Sequence, residues 1–136
     1  IAVLISLQAQ SRNCQTVIDY GHIAKVMINS FNLEHAILNV IDNAMEAMPV
    51  GGLLSIKTFT KSISGNNFVT VEISDAGCGM KLKRHADVPV SSGKKGRGLG
   101  LFITREILQS NGGHLEITSD KGAGTTVKLF FPEINR

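Results

Sequence analysis

Cysteine is scarce in this chain: Cys14 and Cys78 are the only two in 136 residues. They show no metal-ligand or redox spacing, so free thiols in a reducing, cytoplasmic compartment are expected. Long apolar runs are also missing. The longest, near "IAVLISL" at residues 1–7, is too short to span a bilayer and lacks the basic flank of a signal peptide. No direct membrane contact is expected of this chain, although a longer parent protein has room for an anchor. Charge of one sign does not dominate: the net charge is +3, which gives no ground for a nucleic-acid binder. Familiar phosphate signatures are absent as well. No G-x-x-x-x-G-K-[ST] occurs, and a G-x-G-x-x-G begun at Gly96 fails because Leu101 stands where its last glycine belongs. Neither the catalytic-loop nor the magnesium-loop signature of eukaryotic-type protein kinases is present.

What remains is an ordinary globular composition, 43% apolar and 18% charged, in a length that suits one domain, residues 1–136. The first residue is isoleucine rather than methionine, so a piece of a longer protein is expected. Residues 1–12 read as a short helix. "CQTVIDY" and "KVMINS" read as strands around a Gly21–His22 turn. From Asn32 to Met48 the apolar positions Leu33, Ala36, Ile37, Val40, Ile41, Ala44, Met45 and Met48 recur at helical spacing. "LLSIKTFT" and "NFVTVEISD" alternate as strands of an antiparallel hairpin. "LGLFITREILQS" is a second amphipathic helix stopped at Asn111-Gly112-Gly113, with Phe102, Ile103 and Ile107 expected in the core. "HLEITSD" and "TTVKLFF" form a closing hairpin around "KGAG". The order predicts an α/β two-layer sandwich, helices on one face of a mixed, mostly antiparallel sheet.

Three stretches carry chemistry. The helix at 32–48 has a polar face of His35, Asn39, Asp42, Asn43 and Glu46. Asparagine is a mediocre helix former, and two of them one turn apart suit an amide carbonyl offered to a hard cation such as Mg²⁺. "SDAGCGM" ends a strand at Asp75, an acceptor-only carboxylate that suits an adenine amino group and repels a guanine carbonyl. "KKGRGLGLF" brings Gly96, Gly98 and Gly100 to a helix mouth beside Lys94, Lys95 and Arg97. Bare N–H groups, the helix dipole and nearby cations there make a phosphate site. Residues 81–97 hold six of the fourteen basic residues against one acid, Asp87, and so concentrate anions locally. The histidines His22, His35, His85 and His114 lack the H-E-x-x-[NH]-P context of a phosphoacceptor.

In order along the chain, "LEHAILNVIDNAMEAM", "DAGCG", "GRGLGL" and "GAGTT" resemble the N, G1, G2 and G3 boxes of the ATP-binding catalytic domain of sensor histidine kinases. These kinases belong to the GHKL ATPase superfamily, and "NAMEAM" is most similar to their nitrogen-regulation and sporulation type. The resemblance implies that Asn43 holds Mg²⁺ and that Asn39 helps bind the phosphates. By the same likeness Asp75 recognises adenine in a pocket shaped by Gly77 and Gly79, and Gly96, Gly98 and Gly100 hinge a lid spanning 80–97. Thr125 would line the adenine end. Ala47, Met80, Lys94, Lys95, Arg97, Leu99 and Leu101 complete the implied ATP-binding set. The implied partners are ATP, a histidine-bearing dimerisation domain of the same protein, and a response regulator.

Asn39 stands where hydrolytic members and anti-sigma serine kinases carry a glutamate base. An amide cannot take a proton from water, which favours phosphoryl transfer to histidine. The chain departs from the family pattern at the lid, where "DVPV" (87–90) replaces F-x-P-F and only 16 residues separate Gly79 from Gly96. Glu46 stands where many members have a phosphate-contacting lysine. The alternatives are a nucleotide-binding docking module with an impaired lid, or an anti-sigma-type serine kinase.

Overall fold

The structure is a computed structural model that describes residues 14–21, 26, 28–48, 51–76, 97–120 and 124–133. Five strands form one sheet: β1 (Cys14–Tyr20), β2 (Gly52–Ile63), β3 (Asn66–Asp75), β4 (His114–Asp120) and β5 (Gly124–Pro132). Their spatial order is β1-β2-β3-β5-β4. β1 runs parallel to β2, and every other pair is antiparallel. Among the described residues, two helices, α1 (Ser30–Glu46) and α2 (Arg97–Ser110), pack on the sheet and on each other. The α/β sandwich expected from the element order is the architecture found. The expected helix at 1–12 lies outside the described residues.

Strand alternation decides which side chains meet the helices. Read across the sheet, Ile18, Ile56, Ile73, Val127 and Ile117 stand in one row on the covered face. Ile73 and Ile117 are each 1% exposed. Branched aliphatics suit a pleated, covered surface, and each fully buried one contributes about 1.5–3 kcal/mol by removal from water. From above, α1 lowers Ala36, Val40, Ile41, Ala44, Met45 and Met48 onto them, and α2 lowers Leu101 and Leu108. The opposite face is mixed, with Phe68, His114 and Phe130 packed together on it beside a band of charge. There Asp19, Lys57, Glu72, Lys128 and Glu116 form a row of alternating charge across all five strands, with Lys128 Nζ 3.7 Å from Glu72 Oε1.

Local chemistry sets the element ends. "KVMINS" is not a strand among the described residues. Val26 makes a single antiparallel bridge to Glu133, and Asn29 is instead the N-cap of α1. Its Oδ1 accepts from the Phe31 and Asn32 amides at 2.8 and 3.3 Å, a cap worth about 1 kcal/mol. The β2–β3 hairpin turns at Ser64 and Gly65, both at positive φ, as a two-residue turn matched to strand twist requires. After α2, Gly112 at φ 78° and the Gly113 amide bond back to the Gln109 and Leu108 carbonyls, a Schellman termination. Phe102 is not core: it is 51% exposed. Leu101, Thr104 and Leu108 occupy the inward stripe of α2, and Phe102 lies one position off it.

Candidate functional site

The polar candidates gather at one end of the sandwich because the connections are short. The chain enters α1 beside Glu133, through the Val26 bridge. It leaves α1 at Met48, which packs over Gly52 at the start of β2. Since Leu54 pairs with Asp75, the last turns of α1, bearing Asn39, Asn43 and Ala47, point to the Asp75 end of the sheet. α2 runs the opposite way. Its C-terminal Gly112 lies against Pro132, and its 14 residues reach back about 21 Å to bring Arg97–Leu101 to that same end. Thr104 ties the two helices at mid-length by donating to the Ala36 carbonyl at 3.2 Å.

The sheet contributes one row of its own. Leu54 pairs with Asp75, Asp75 with Thr125, and Thr125 with Ser119. This row follows directly on the aliphatic row of Ile56, Ile73, Val127 and Ile117 and faces the same way. Here the dry core gives out, and a carboxylate and two hydroxyls succeed it. Cross-strand neighbours have Cβ atoms about 4.5–5.5 Å apart, so one small ligand spans them. Gly124, at φ 84°, presses its backbone on Asp75, and a Cβ there would collide with the Asp75 carbonyl oxygen. Thr125 is 5% exposed, and its Oγ1 lies 2.8 Å from Ser119 Oγ.

On α1, Asn39 and Asn43 are half-buried. Among the described residues, the buried Asn39 Nδ2 has no hydrogen-bond partner, and an unmade bond of this kind costs about 1–3 kcal/mol. Ala47 is buried at the C-cap, its amide donating to the Asn43 carbonyl at 3.2 Å. Leu101 is fully buried in the core, so only its backbone remains to meet a ligand. Gly98, Leu99 and Gly100 lie in the first turn of α2. Gly77, Cys78, Gly79, Met80, Lys94, Lys95 and Gly96 fall outside the described residues, as do His22 and His85. His35 contacts Phe31, and His114 stacks on Phe130 at 4.3 Å between centroids; both belong to aromatic packing.

A family model described as "Histidine kinase-, DNA gyrase B-, and HSP90-like ATPase" matches residues 28–135. The chain belongs to that ATPase family. Within it, this domain is of the sensor histidine kinase type. It is 29% identical over 133 residues to sporulation kinase E of Bacillus subtilis, covering 95% of this chain and 18% of that protein. It is 37% identical over 103 residues to sporulation kinase C of the same organism, covering 74% of this chain and 23% of that one. The domain therefore spans about a fifth of the curated relatives it matches. In fold, it superposes on the mycobacterial sensor histidine kinase MprB with a TM-score of 0.77 at 24% identity, covering 96% of this chain and 90% of that one. The ShkA structure in complex with AMPPNP gives 0.75 at 20% identity, covering 98% of this chain and 29% of that one. No described helix of this ATPase domain is long and apolar enough to cross a membrane.

Ser119 and the charge row on the outer face escaped the sequence reading. Ser119 was within reach, because a hairpin that pairs His114 with Phe130 must also pair Ser119 with Thr125.

Proposed function

We propose that this ATPase domain binds Mg·ATP and supplies its γ-phosphoryl group to a histidine on a separate dimerisation domain, for relay to an aspartate of a response regulator. The observation that carries the reading is the buried Asn39 Nδ2, without a partner among the described residues, on the α1 turns directed to the Asp75 end. Buried donors are almost always satisfied, and a phosphate oxygen satisfies this one without adding a like charge. Asp75 then accepts from the exocyclic amino group of adenine, and the amide groups opening α2 meet the phosphates.

The donor set also suits Mg²⁺. No cluster of three acidic, histidine or cysteine side chains occurs among the described residues, and none is needed. Mg²⁺ at a nucleotide takes one or two protein oxygens and completes its shell with phosphates and water. Asn43, one helical turn beyond Asn39, would provide the protein oxygen. The metal would neutralise charge on the phosphates, which is most of what catalysis of phosphoryl transfer requires, together with positioning. Asn39 is an amide and abstracts no proton, which supports transfer to a histidine over hydrolysis by water.

Calorimetric titration with a non-hydrolysable ATP analogue, with and without Mg²⁺, tests the reading. Binding should depend on the metal, and Asn43→Ala should abolish that dependence. Binding indifferent to Mg²⁺ in both proteins would leave a docking module.

A further inference from the structure

We infer that Ser119 fixes the hydrogen-bonding polarity of the purine end of the site, making Thr125 an acceptor toward the bound base. The inference rests on the nucleotide reading above and deepens it.

Ser119 Oγ donates to the Gly124 carbonyl oxygen at 3.1 Å and lies 2.8 Å from Thr125 Oγ1. A serine hydroxyl has one proton. A carbonyl oxygen has none, so that proton goes to Gly124. In the shorter contact Ser119 is therefore the acceptor and Thr125 the donor. Thr125, 5% exposed, has then spent its own proton sideways, along the row and away from Asp75. Its remaining capacity is lone pairs alone.

Asp75 is the cross-strand partner of Thr125 on its other side, and an ionised carboxylate is acceptor-only. The row thus offers two neighbouring acceptors and no hydroxyl donor. Its complement is a group with two N–H bonds, the exocyclic amine of an aminopurine. A 6-oxo purine brings a lone pair to the same place and meets only lone pairs. On this account specificity is set by two residues together, one of which never touches the base. Ser119 is a positioning residue.

The test compares ATP with inosine triphosphate, which replaces the 6-amino group by oxygen. Binding of each, with Mg²⁺, is measured calorimetrically to the wild-type chain, Ser119→Ala, Ser119→Thr and Thr125→Val. The wild type should favour ATP. In Ser119→Ala the Thr125 proton loses its acceptor and turns to the 6-oxo group, so the preference should narrow about tenfold, the worth of one hydrogen bond gained by the wrong ligand. Ser119→Thr keeps the hydroxyl and should keep the preference, whereas Thr125→Val should narrow it by removing the acceptor. Equal weakening of both ligands in Ser119→Ala would indicate a merely structural role and overturn the inference. If Ser119→Ala fails to fold, an unchanged preference in Thr125→Val overturns it equally. A wild type that binds ATP and inosine triphosphate alike refutes the inference together with the pairing of Asp75 and the adenine amine, and leaves Mg·ATP binding itself standing. A wild type that binds neither refutes the nucleotide reading beneath it.

Discussion

Thr104 donates its hydroxyl proton to the carbonyl oxygen of Ala36, 68 residues away in sequence, at 3.2 Å and with both residues fully buried. A threonine inside a helix ordinarily returns its hydroxyl to its own preceding turn. Here the bond crosses from α2 to α1, and the small Ala36 side chain leaves room for it. Because the Asn39–Asn43 turns and the first turn of α2 lie on the site side of this tie, it fixes how far apart those turns sit. Thr104→Val keeps the shape and removes the bond. It should lower stability by about 1 kcal/mol in denaturant unfolding and weaken nucleotide binding, while Thr104→Ser should retain both.

Gly124 touches the site through its backbone. Its positive φ and its contact with the Asp75 carbonyl leave no room for a Cβ. Gly124→Ala should cost at least the 1–2 kcal/mol of a left-handed non-glycine residue and also push Asp75 out of its row. Thermal unfolding should show the first effect. The second should appear as a loss of ATP affinity greater than that of Thr104→Val, which loosens the helices and leaves the strand row intact.

The outer face makes a separate prediction about register. Glu72 stands between Lys57 and Lys128, so Glu72→Lys puts three lysines abreast. Like charges directly opposite are destabilising, and the melting temperature should fall at low salt and recover partly at high salt as the charges are screened. The Glu72–Lys128 coupling in a double-mutant cycle should be modest, about 0.5 kcal/mol, as for other partly exposed pairs. Nucleotide binding should not change, because this face lies opposite the helices.

Incubation with labelled ATP examines the transfer step. The chain contains no H-E-x-x-[NH]-P stretch, and the four histidines have no phosphoacceptor setting. The isolated chain should bind ATP without accumulating acid-labile phosphate. Stable labelling of the chain would overturn the assignment of the acceptor to another domain.

Much of this was legible from sequence, for identifiable reasons. The α1 stripe from Ala36 to Met48 repeats at helical spacing over about three and a half turns, and no competing pattern survives that long. The β2–β3 hairpin carries its turn in Ser64-Gly65. Asp75, Asn39 and Asn43 stood out because each is a poor choice for its local structure. By contrast, "KVMINS" has strand-like composition, yet the Asn29 side chain finds two helix amides, and capping overrides propensity. Phe102 is hydrophobic but out of helical phase: Leu101 and Thr104 define the inward stripe and leave Phe102 outside it. The row Leu54–Asp75–Thr125–Ser119 and the charge row behind it are properties of register. They join residues from strands far apart in sequence, and no single segment contains them.

Competition calorimetry on Asp75→Asn bears most directly on the purine site. An amide in place of this carboxylate turns one acceptor oxygen into a donor, and ATP should bind the variant roughly one to two orders of magnitude more weakly than the wild type, the range for a charged hydrogen bond. GTP should fail to displace ATP from the wild type, and the variant's thermal unfolding should stay close to the wild-type value. ATP binding with equal affinity to both proteins, or ready displacement by GTP, would contradict the account.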